Sequence, residues 1–225
     1  MSLPIQAGYN SPMTVKCYLA SPDISDAATI THVGDDGRPF VRLSETLFHP
    51  QGGGQKADRG TIAGRAVTHV AHADGCEVNH YLNSTDGLSI GDAVELFVDA
   101  ECRQLSARWH TAGHLIAAVV ERLFPNLQGV AGHHWPGEGR VEFSPGDGAS
   151  AEEVAARLPD ALVEAVRADL PVRVIGDPFS NREVVVGDSR PVGCGGTHLP
   201  SVGGLAVTVT GVKAKGGKLR VSYAV

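Results

Sequence analysis

DAECRQLSARWHTAGHLIAAVVERLFP, residues 99–125, is the stretch on which the fold turns. Asp99 has the side chain of a helix cap and Pro125 cannot continue a helix, so the two bracket a segment from about Ala100 to Phe124. Within it Leu105, Trp109, Ala112, Ile116, Val119 and Leu123 recur at three- and four-residue steps, the period of one buried helical face. His110 and His114 stand four apart, one turn above each other on the same side. Thr111, Ala112 and Gly113 between them are small, so two imidazoles there can grip one metal ion. Taken alone, such a pair is equally a pair of core or surface histidines.

Downstream, Ser150 and Glu153 match a capping box, and Val154, Leu158, Leu162 and Val166 form the stripe of a second helix. Pro159 should kink or split it. Strands are expected at Val172 to Ile175, Val184 to Val186, Leu205 to Val212 and Leu219 to Val225. Upstream the texture is β-rich. Met13 to Ala20 alternates weakly. Thr29 to Val33 and Phe40 to Leu43 flank a Gly34-Asp35-Asp36-Gly37 hairpin turn, and Thr61 to His72, Cys76 to Leu82 and Ala93 to Val98 follow. Short strands so spaced suggest a small barrel or sandwich. The reading is α+β: a β-domain over 1–98, then a mixed domain over 99–225 whose helices cover one face of a mainly antiparallel sheet.

A second group with metal-ligand character is Cys194-Gly-Gly-Thr-His198. A thiolate and an imidazole suit zinc, which takes nitrogen and sulfur in a tetrahedral shell, and Gly195 and Gly196 let the backbone turn so that both point inward. The alternative is a Gly-rich turn that happens to hold a buried Cys and a surface His. The two pairs together offer three nitrogens and one sulfur from a helix and a loop. Cys102 lies eight residues before His110, about 12 Å along a continuous helix, and is a poor substitute ligand. Cys17 and Cys76 read as ordinary buried thiols. The third group is His49-Pro-Gln-Gly-Gly-Gly-Gln55, continuing to Asp58-Arg59-Gly60. Its glycines can turn backbone N–H groups toward a polar ligand or simply make a sharp turn; no Lys-Ser/Thr pair follows, so it is not a P-loop.

Composition sets bounds on these readings. The 225 residues are 42 % hydrophobic, which suits a packed globular chain, while 28 glycines and 13 prolines favour turns and strands over a bundle. No run of eighteen apolar residues is present, and MSLPIQAGYNSPM has no basic region followed by an apolar stretch, so neither a membrane span nor a secretory signal is expected. The four scattered cysteines fit a reduced, cytoplasmic setting. Net charge is −6, but from Ser189 onward there are five bases and no acid, which leaves 14 bases against 25 acids, hence −11, in the first 188 residues. A basic tail of this kind is either a solvated hairpin or a surface for phosphates.

The three groups, in this order, resemble the editing region of alanyl-tRNA synthetases, above all the free-standing AlaX proteins, over about Val41 to Val225. The family pattern Gly-Gly-Gly-Gln-x-x-Asp-x-Gly is met by Gly52 to Gly60, His-Thr-Ala-x-His-Leu by His110 to Leu115, and Cys-Gly-Gly-Thr-His by Cys194 to His198. The resemblance implies an N-terminal β-barrel followed by the two-layer α/β editing domain shared with threonyl-tRNA synthetases. It implies a medium-length form acting in trans, without an aminoacylation domain or a long C-terminal extension. It also implies a zinc-dependent deacylase of mischarged tRNA(Ala), with serine and then glycine as the acyl groups removed. The chain departs from the pattern at Ser44, His49, Cys102 and Ala107, at Val202 to Ala206 after the last ligand, and at Ala131-Gly132-His133. These changes fall where substrate should lie and bear on amino-acid preference, not on metal binding.

The expected centre is therefore Zn2+ on His110, His114, Cys194 and His198, with a zinc-bound water as nucleophile and no protein base assigned. Four protein ligands fill a tetrahedral shell, so catalysis needs one to yield or the shell to expand; alternatively the ion holds the substrate's amino or hydroxyl group directly. Thr46, Gly53, Gly54, Gln55 and Thr111 are the expected substrate contacts. Lys213, Lys215, Lys218 and Arg220 are the expected RNA contacts, with Lys56 and Arg59 next. The partner is the acceptor end of mischarged tRNA(Ala); no membrane and no protein partner is expected. Two other functions fit the same residues: a zinc hydrolase of small esters or amides, and a non-catalytic RNA-binding module with structural zinc.

Overall fold

The computed structural model describes residues 13–144 and 149–225; residues 1–12, read above for a leader, lie outside the described residues. Six strands close a barrel: β1 (Ser25–Asp35), β2 (Pro39–Leu43), β3 (Gly60–Ile62), β4 (Arg65–His72), β5 (Val78–Leu82) and β6 (Ala93–Val98). Their order around the barrel is β1-β2-β5-β4-β3-β6, with β6 returning to β1 and every pair antiparallel. Closure leaves no unpaired edge. Ile30, Val41, Leu43, Phe48, Ile62 and Leu96 fill the interior with no exposed surface.

The segment Thr61 to His72, expected as one strand, is instead a hairpin. Ala63 and Gly64 both have positive φ, 50° and 72°, the turn that joins β3 to β4. An alanine there gave no sign of a turn. The Met13 to Ala20 segment yields only a two-residue strand, Val15–Lys16, paired in parallel with Glu45–Thr46, and then a single 3-10 turn at Cys17–Leu19.

Helix α1 (Ala100–Leu123) starts where expected: the Asp99 carboxylate accepts from Cys102 N at 3.0 Å. Its apolar face is buried from Trp109 through Val120, but Leu105 is 46 % exposed and is not part of that face. Two strands that the sequence did not suggest follow, β7 (Gly129–His133) and β8 (Arg140–Phe143). β7 is a half-exposed edge with two glycines and β8 has four residues, so neither carries a legible alternation. Helix α2 (Ala151–Arg167) opens with the complete Ser150–Glu153 capping box and runs on as one element through Pro159. The carbonyl that Pro159 leaves without a donor belongs to Ala155, which faces solvent, while Val154, Leu158 and Leu162 anchor the other side.

Strands β9 (Val172–Ile175), β10 (Glu183–Val186) and β11 (Val192–Gly193) form one antiparallel sheet. Strands β12 (Thr208–Lys215) and β13 (Lys218–Ala224) join β8 and β7 in a second, in the order β12-β13-β8-β7. The one sheet expected is thus two, and α1, α2 and both sheets share a single apolar cluster that includes Leu115, Ile116, Phe143, Leu158, Val184 and Val221. A buried ion pair ties α1 to the barrel side: Arg103 Nε lies 3.1 and 3.0 Å from the two Asp58 carboxylate oxygens, Arg103 Nη2 donates to Leu47 O at 2.6 Å, and Asp58 is wholly enclosed. No helix among the described residues is long and apolar enough to cross a membrane.

Candidate metal centre

His110 and His114 leave the same face of α1, and the loop after β11 brings Cys194 and His198 against them. One ligand atom from each of the four lies within 4.8 Å of every other. Cys194 Sγ is 3.5 Å from His110 Nε2 and 3.3 Å from His198 Nε2. Tetrahedral zinc with bonds of about 2.0–2.1 Å to nitrogen and 2.3 Å to sulfur places such atoms about 3.6 Å apart, so the donors already stand close to coordination distance. The sequence-predicted pairs therefore meet at one point. His110 is 1 % exposed, while the other three are partly exposed.

Two glycines make this approach possible. A Cβ on Gly196 would fall 2.1 Å from His110 Cε1, and one on Gly113 would fall 2.2 Å from Cε1 of His134. His134 is the residue that sequence reasoning missed. It is buried, its ring lies over His110 at 4.6 Å with 22° between the planes, and its Nδ1 is 2.8 Å from the Tyr223 hydroxyl. That hydroxyl donates to Trp109 O at 2.8 Å, so His134 Nδ1 carries the proton. Its only sign in the sequence is the His133-His134-Trp135 run, which no spacing links to the ligands.

Gln55 has a different place from the one expected. It is 1 % exposed; its Oε1 accepts from His110 Nδ1 at 2.8 Å and from Thr197 N at 2.9 Å, and its Nε2 donates to Thr197 Oγ1 at 2.9 Å. Gln55 therefore fixes the His110 tautomer that turns Nε2 toward the other ligands, the outer-shell role of a ligand-orienting group. Its oxygen is fully engaged and its side chain is enclosed. Thr111 is likewise enclosed, and its hydroxyl accepts from Leu199 N at 2.9 Å, pinning the ligand loop to α1. Thr46 is enclosed in the barrel. His80 Nδ1 faces Val41 O at 3.2 Å, so the Thr46 hydroxyl donates to His80 Nε2 at 2.7 Å and accepts from Phe48 N at 3.0 Å. Both threonines are enclosed, and each hydroxyl is engaged by the fold. Gly53 and Gly54, at φ 55° and 79°, are the centre of a turn closed by Gly52 N to Gln55 O at 3.2 Å and Gln55 N to Gly52 O at 2.9 Å. Gly54 O takes the His134 N–H at 2.8 Å; Gly53 is exposed at the tip.

The electrostatics suit a cation. Burial, then Arg182 and Arg190, lower the His114 pKa to about 4, and burial lowers that of His134 to about 3. Burial above all, and then the neighbouring imidazoles, hold His110 and His198 well below the usual value, so all are neutral donors near pH 7. Burial raises the Cys194 thiol pKa, offset in part by the Gly196 N–H and by Arg182. A thiolate there needs positive charge beside it, which a divalent ion supplies. Arg182 also holds the loop, donating to Cys194 O and, at 2.9 Å, to Leu19 O. His198 Nδ1 is buried without a hydrogen-bond partner among the described residues. Beside the ligands a cavity of about 140 Å³ is lined by small residues such as Gly113, Ala117 and Gly132, with His114, His134 and Arg190 at its polar side.

The basic tail is less free than its composition suggests. Arg220 Nη2 and Lys218 Nζ lie 2.6 and 3.3 Å from the two oxygens of Glu142 on the neighbouring strand; Lys213 is exposed, and the Lys215 side chain lies outside the described residues. Cys76 is exposed and Cys17 and Cys102 partly so, contrary to the buried thiols expected of Cys17 and Cys76.

A closed six-stranded barrel joined to helices and sheets that bring three imidazoles and a thiol together defines the class: an α+β protein with a group of four side chains that could hold a metal ion. No family model matches the chain. The alanyl-tRNA editing protein AlaX-M of Pyrococcus horikoshii is 28 % identical over 194 residues, 84 % of this chain and 87 % of that one. AlaX-M of Methanosarcina barkeri is 36 % identical over 104 residues, 42 % of each chain. The alanine–tRNA ligase of Frankia alni is 32 % identical over 202 residues, 79 % of this chain and 23 % of the ligase. The chain thus spans less than half of one of these editing proteins and about a quarter of the ligase. Over most of its length the chain is thus similar to an AlaX-type alanyl-tRNA editing protein and to part of an alanine–tRNA ligase.

Proposed function

We propose that this protein is a cytoplasmic, zinc-dependent deacylase that acts in trans on mischarged tRNA(Ala), removing serine first and glycine next. The observation that carries the reading is a four-donor cluster, three of its residues partly exposed, with His114 also on the wall of a cavity of about 140 Å³. An enclosed cavity of about 150 Å³ takes up a benzene-sized group, so a small acyl group fits the volume here. His110, His114, Cys194 and His198 hold the ion; Gln55 orients His110, and Thr111 and Arg182 fix the loop that carries Cys194 and His198. When bound, zinc supplies Lewis acidity toward an ester carbonyl and a lowered pKa for water. His110 is anchored by Gln55 whereas His198 Nδ1 has no partner, which makes His198 the ligand better able to yield a position to substrate. In this reading the barrel portion, 1–98, presents the Gly52–Gln55 turn and the portion 99–225 carries the metal, with Lys213 and Lys218 the basic groups for RNA phosphates.

Selection of serine follows from chemistry. A synthetic site for alanine cannot strongly reject a side chain that adds one hydroxyl, so a separate hydrolytic site must remove the error. The test offers Ser-, Gly- and Ala-charged tRNA(Ala) to the protein with and without chelator, beside His114→Ala. Rapid chelator-sensitive release of serine, slower release of glycine and none of alanine is expected; equal inertness toward all three removes the assignment. One observation favours a second reading. Four protein donors are the complement of a structural zinc site. Were the ion only structural, the protein would bind tRNA and keep its metal while deacylating nothing.

A further inference from the structure

Gln55 and His134 both touch His110 from outside the ligand set, and each is followed by a residue that points elsewhere. Lys56 follows Gln55 and Trp135 follows His134. The two meet: Lys56 Nζ lies 5.0 Å from the centroid of the Trp135 indole, and the His133 ring packs against the same indole at 4.8 Å and 35°. The loops that carry them are joined by the Gly54 O to His134 N hydrogen bond. Lys56 is exposed and Trp135 is partly so, whereas the other tryptophan, Trp109, is 5 % exposed within the core. His133 is also held by Glu138 at 3.2 Å. The result is a cation–aromatic cluster on the rim of the metal centre, one residue from each side chain that orients it.

A partly exposed indole next to a lysine contributes little to a core. Its chemistry is that of a single-stranded nucleic-acid seat, in which an aromatic face stacks a base of any identity and a lysine meets the adjoining phosphate. We infer that Trp135 and Lys56 form the seat of the last nucleotide of an RNA acceptor end, Trp135 stacking the terminal base and Lys56 meeting its phosphate, so that the ester at the ribose hangs over the metal site. The inference rests on the proposed deacylation of tRNA and adds the residues that hold the end of the RNA.

The test uses uncharged RNA, so it does not depend on hydrolysis. The intact protein is titrated with a short single-stranded RNA ending in CCA, and tryptophan emission is followed; Trp109 is enclosed and serves as the unresponsive background. Saturable quenching of Trp135 is expected. Since Trp135→Leu and Trp135→Phe both keep apolar bulk but only the second keeps a π-face, RNA binding followed by anisotropy of a labelled strand should weaken about 5- to 100-fold in Trp135→Leu and much less in Trp135→Phe. Lys56→Ala should lower the salt slope of binding by about 0.7, the loss of one single-strand phosphate contact. In the deacylation assay Trp135→Leu should raise KM and leave kcat nearly unchanged. Equal binding by the Leu and Phe variants, or an unchanged salt slope in Lys56→Ala, overturns the seat. Serine release that survives unaltered in Trp135→Leu overturns the seat and keeps the deacylase; quenching by RNA in a protein that releases no amino acid does the reverse.

Discussion

Gly113→Ala is a substitution that ordinary helix rules misjudge. In the middle of a helix, alanine is more stable than glycine by about 1 kcal/mol. Here the added methyl would sit 2.2 and 2.3 Å from Cε1 and Nδ1 of His134 and 3.1 Å from the Tyr223 hydroxyl. Carbon atoms rest about 3.5–4.0 Å apart, so the His134 ring must move by more than about 1 Å. Moving it disturbs its stacking on His110 at 4.6 Å and its hydrogen bond to Tyr223 at 2.8 Å. Losing that buried hydrogen bond costs about 1–3 kcal/mol and overpacking costs about 1–3 more. After the helix gain, Gly113→Ala should lower stability by about 1–5 kcal/mol. In a His134→Ala background the same change should be neutral or stabilising by up to about 1 kcal/mol, a coupling of about 1–6 kcal/mol between the two positions. Urea denaturation of the four proteins of the cycle, without metal, measures it. A Gly113→Ala protein more stable than the parent, or the same effect in both backgrounds, would refute the packing described for His134.

Other consequences can be checked directly. Gln55→Leu keeps the volume but removes the acceptor for His110 Nδ1 and Thr197 N; zinc affinity, measured by competition with a chromophoric chelator, should fall about 10- to 100-fold. Gln55→Glu, which still accepts both hydrogen bonds, should stay close to the parent. Asp58→Ala leaves Arg103 without its partner in the interior and should cost about 3–5 kcal/mol in chemical denaturation, with any smaller loss below about 1 kcal/mol arguing against a buried pair. His80 is enclosed, and burial lowers its pKa from 6.5 to about 4. The unfolded chain takes up its proton below pH 6.5 and the folded one only near pH 4, so this contribution is complete above 6.5. It is lost as pH falls between 6.5 and 4, at about 1.4 kcal/mol per pH unit and about 3 kcal/mol in all. His80→Asn should flatten the stability–pH curve in that window; an unchanged slope contradicts the assignment.

What could be read from the sequence follows from where the information lies. α1 and α2 were legible because Asp99, Ser150 and Glu153 are local signals and their apolar residues repeat over many turns. The ligand set was legible because each half is a short spacing, His110 to His114 and Cys194 to His198, and one chemistry unites the halves. The residues that orient those ligands were not. Gln55 acts on His110 across 55 positions, and His134 reaches Tyr223 across 89. Nothing in their neighbours reveals such contacts. Thr46 and Thr111 show the opposite case: hydroxyls near a motif invite a role with substrate, yet both are consumed by the fold. The charge of the tail also overstated its freedom, because Glu142 comes from a strand that the sequence did not disclose.

Zinc K-edge X-ray absorption on the metal-loaded protein tests the centre most directly. One equivalent of zinc should show three nitrogen scatterers at about 2.0–2.1 Å and one sulfur at about 2.3 Å, with the sulfur lost in Cys194→Ser. A first shell of nitrogen and oxygen alone in the parent protein, or zinc that binds without involving Cys194, would contradict the four-ligand site on which the functional reading stands.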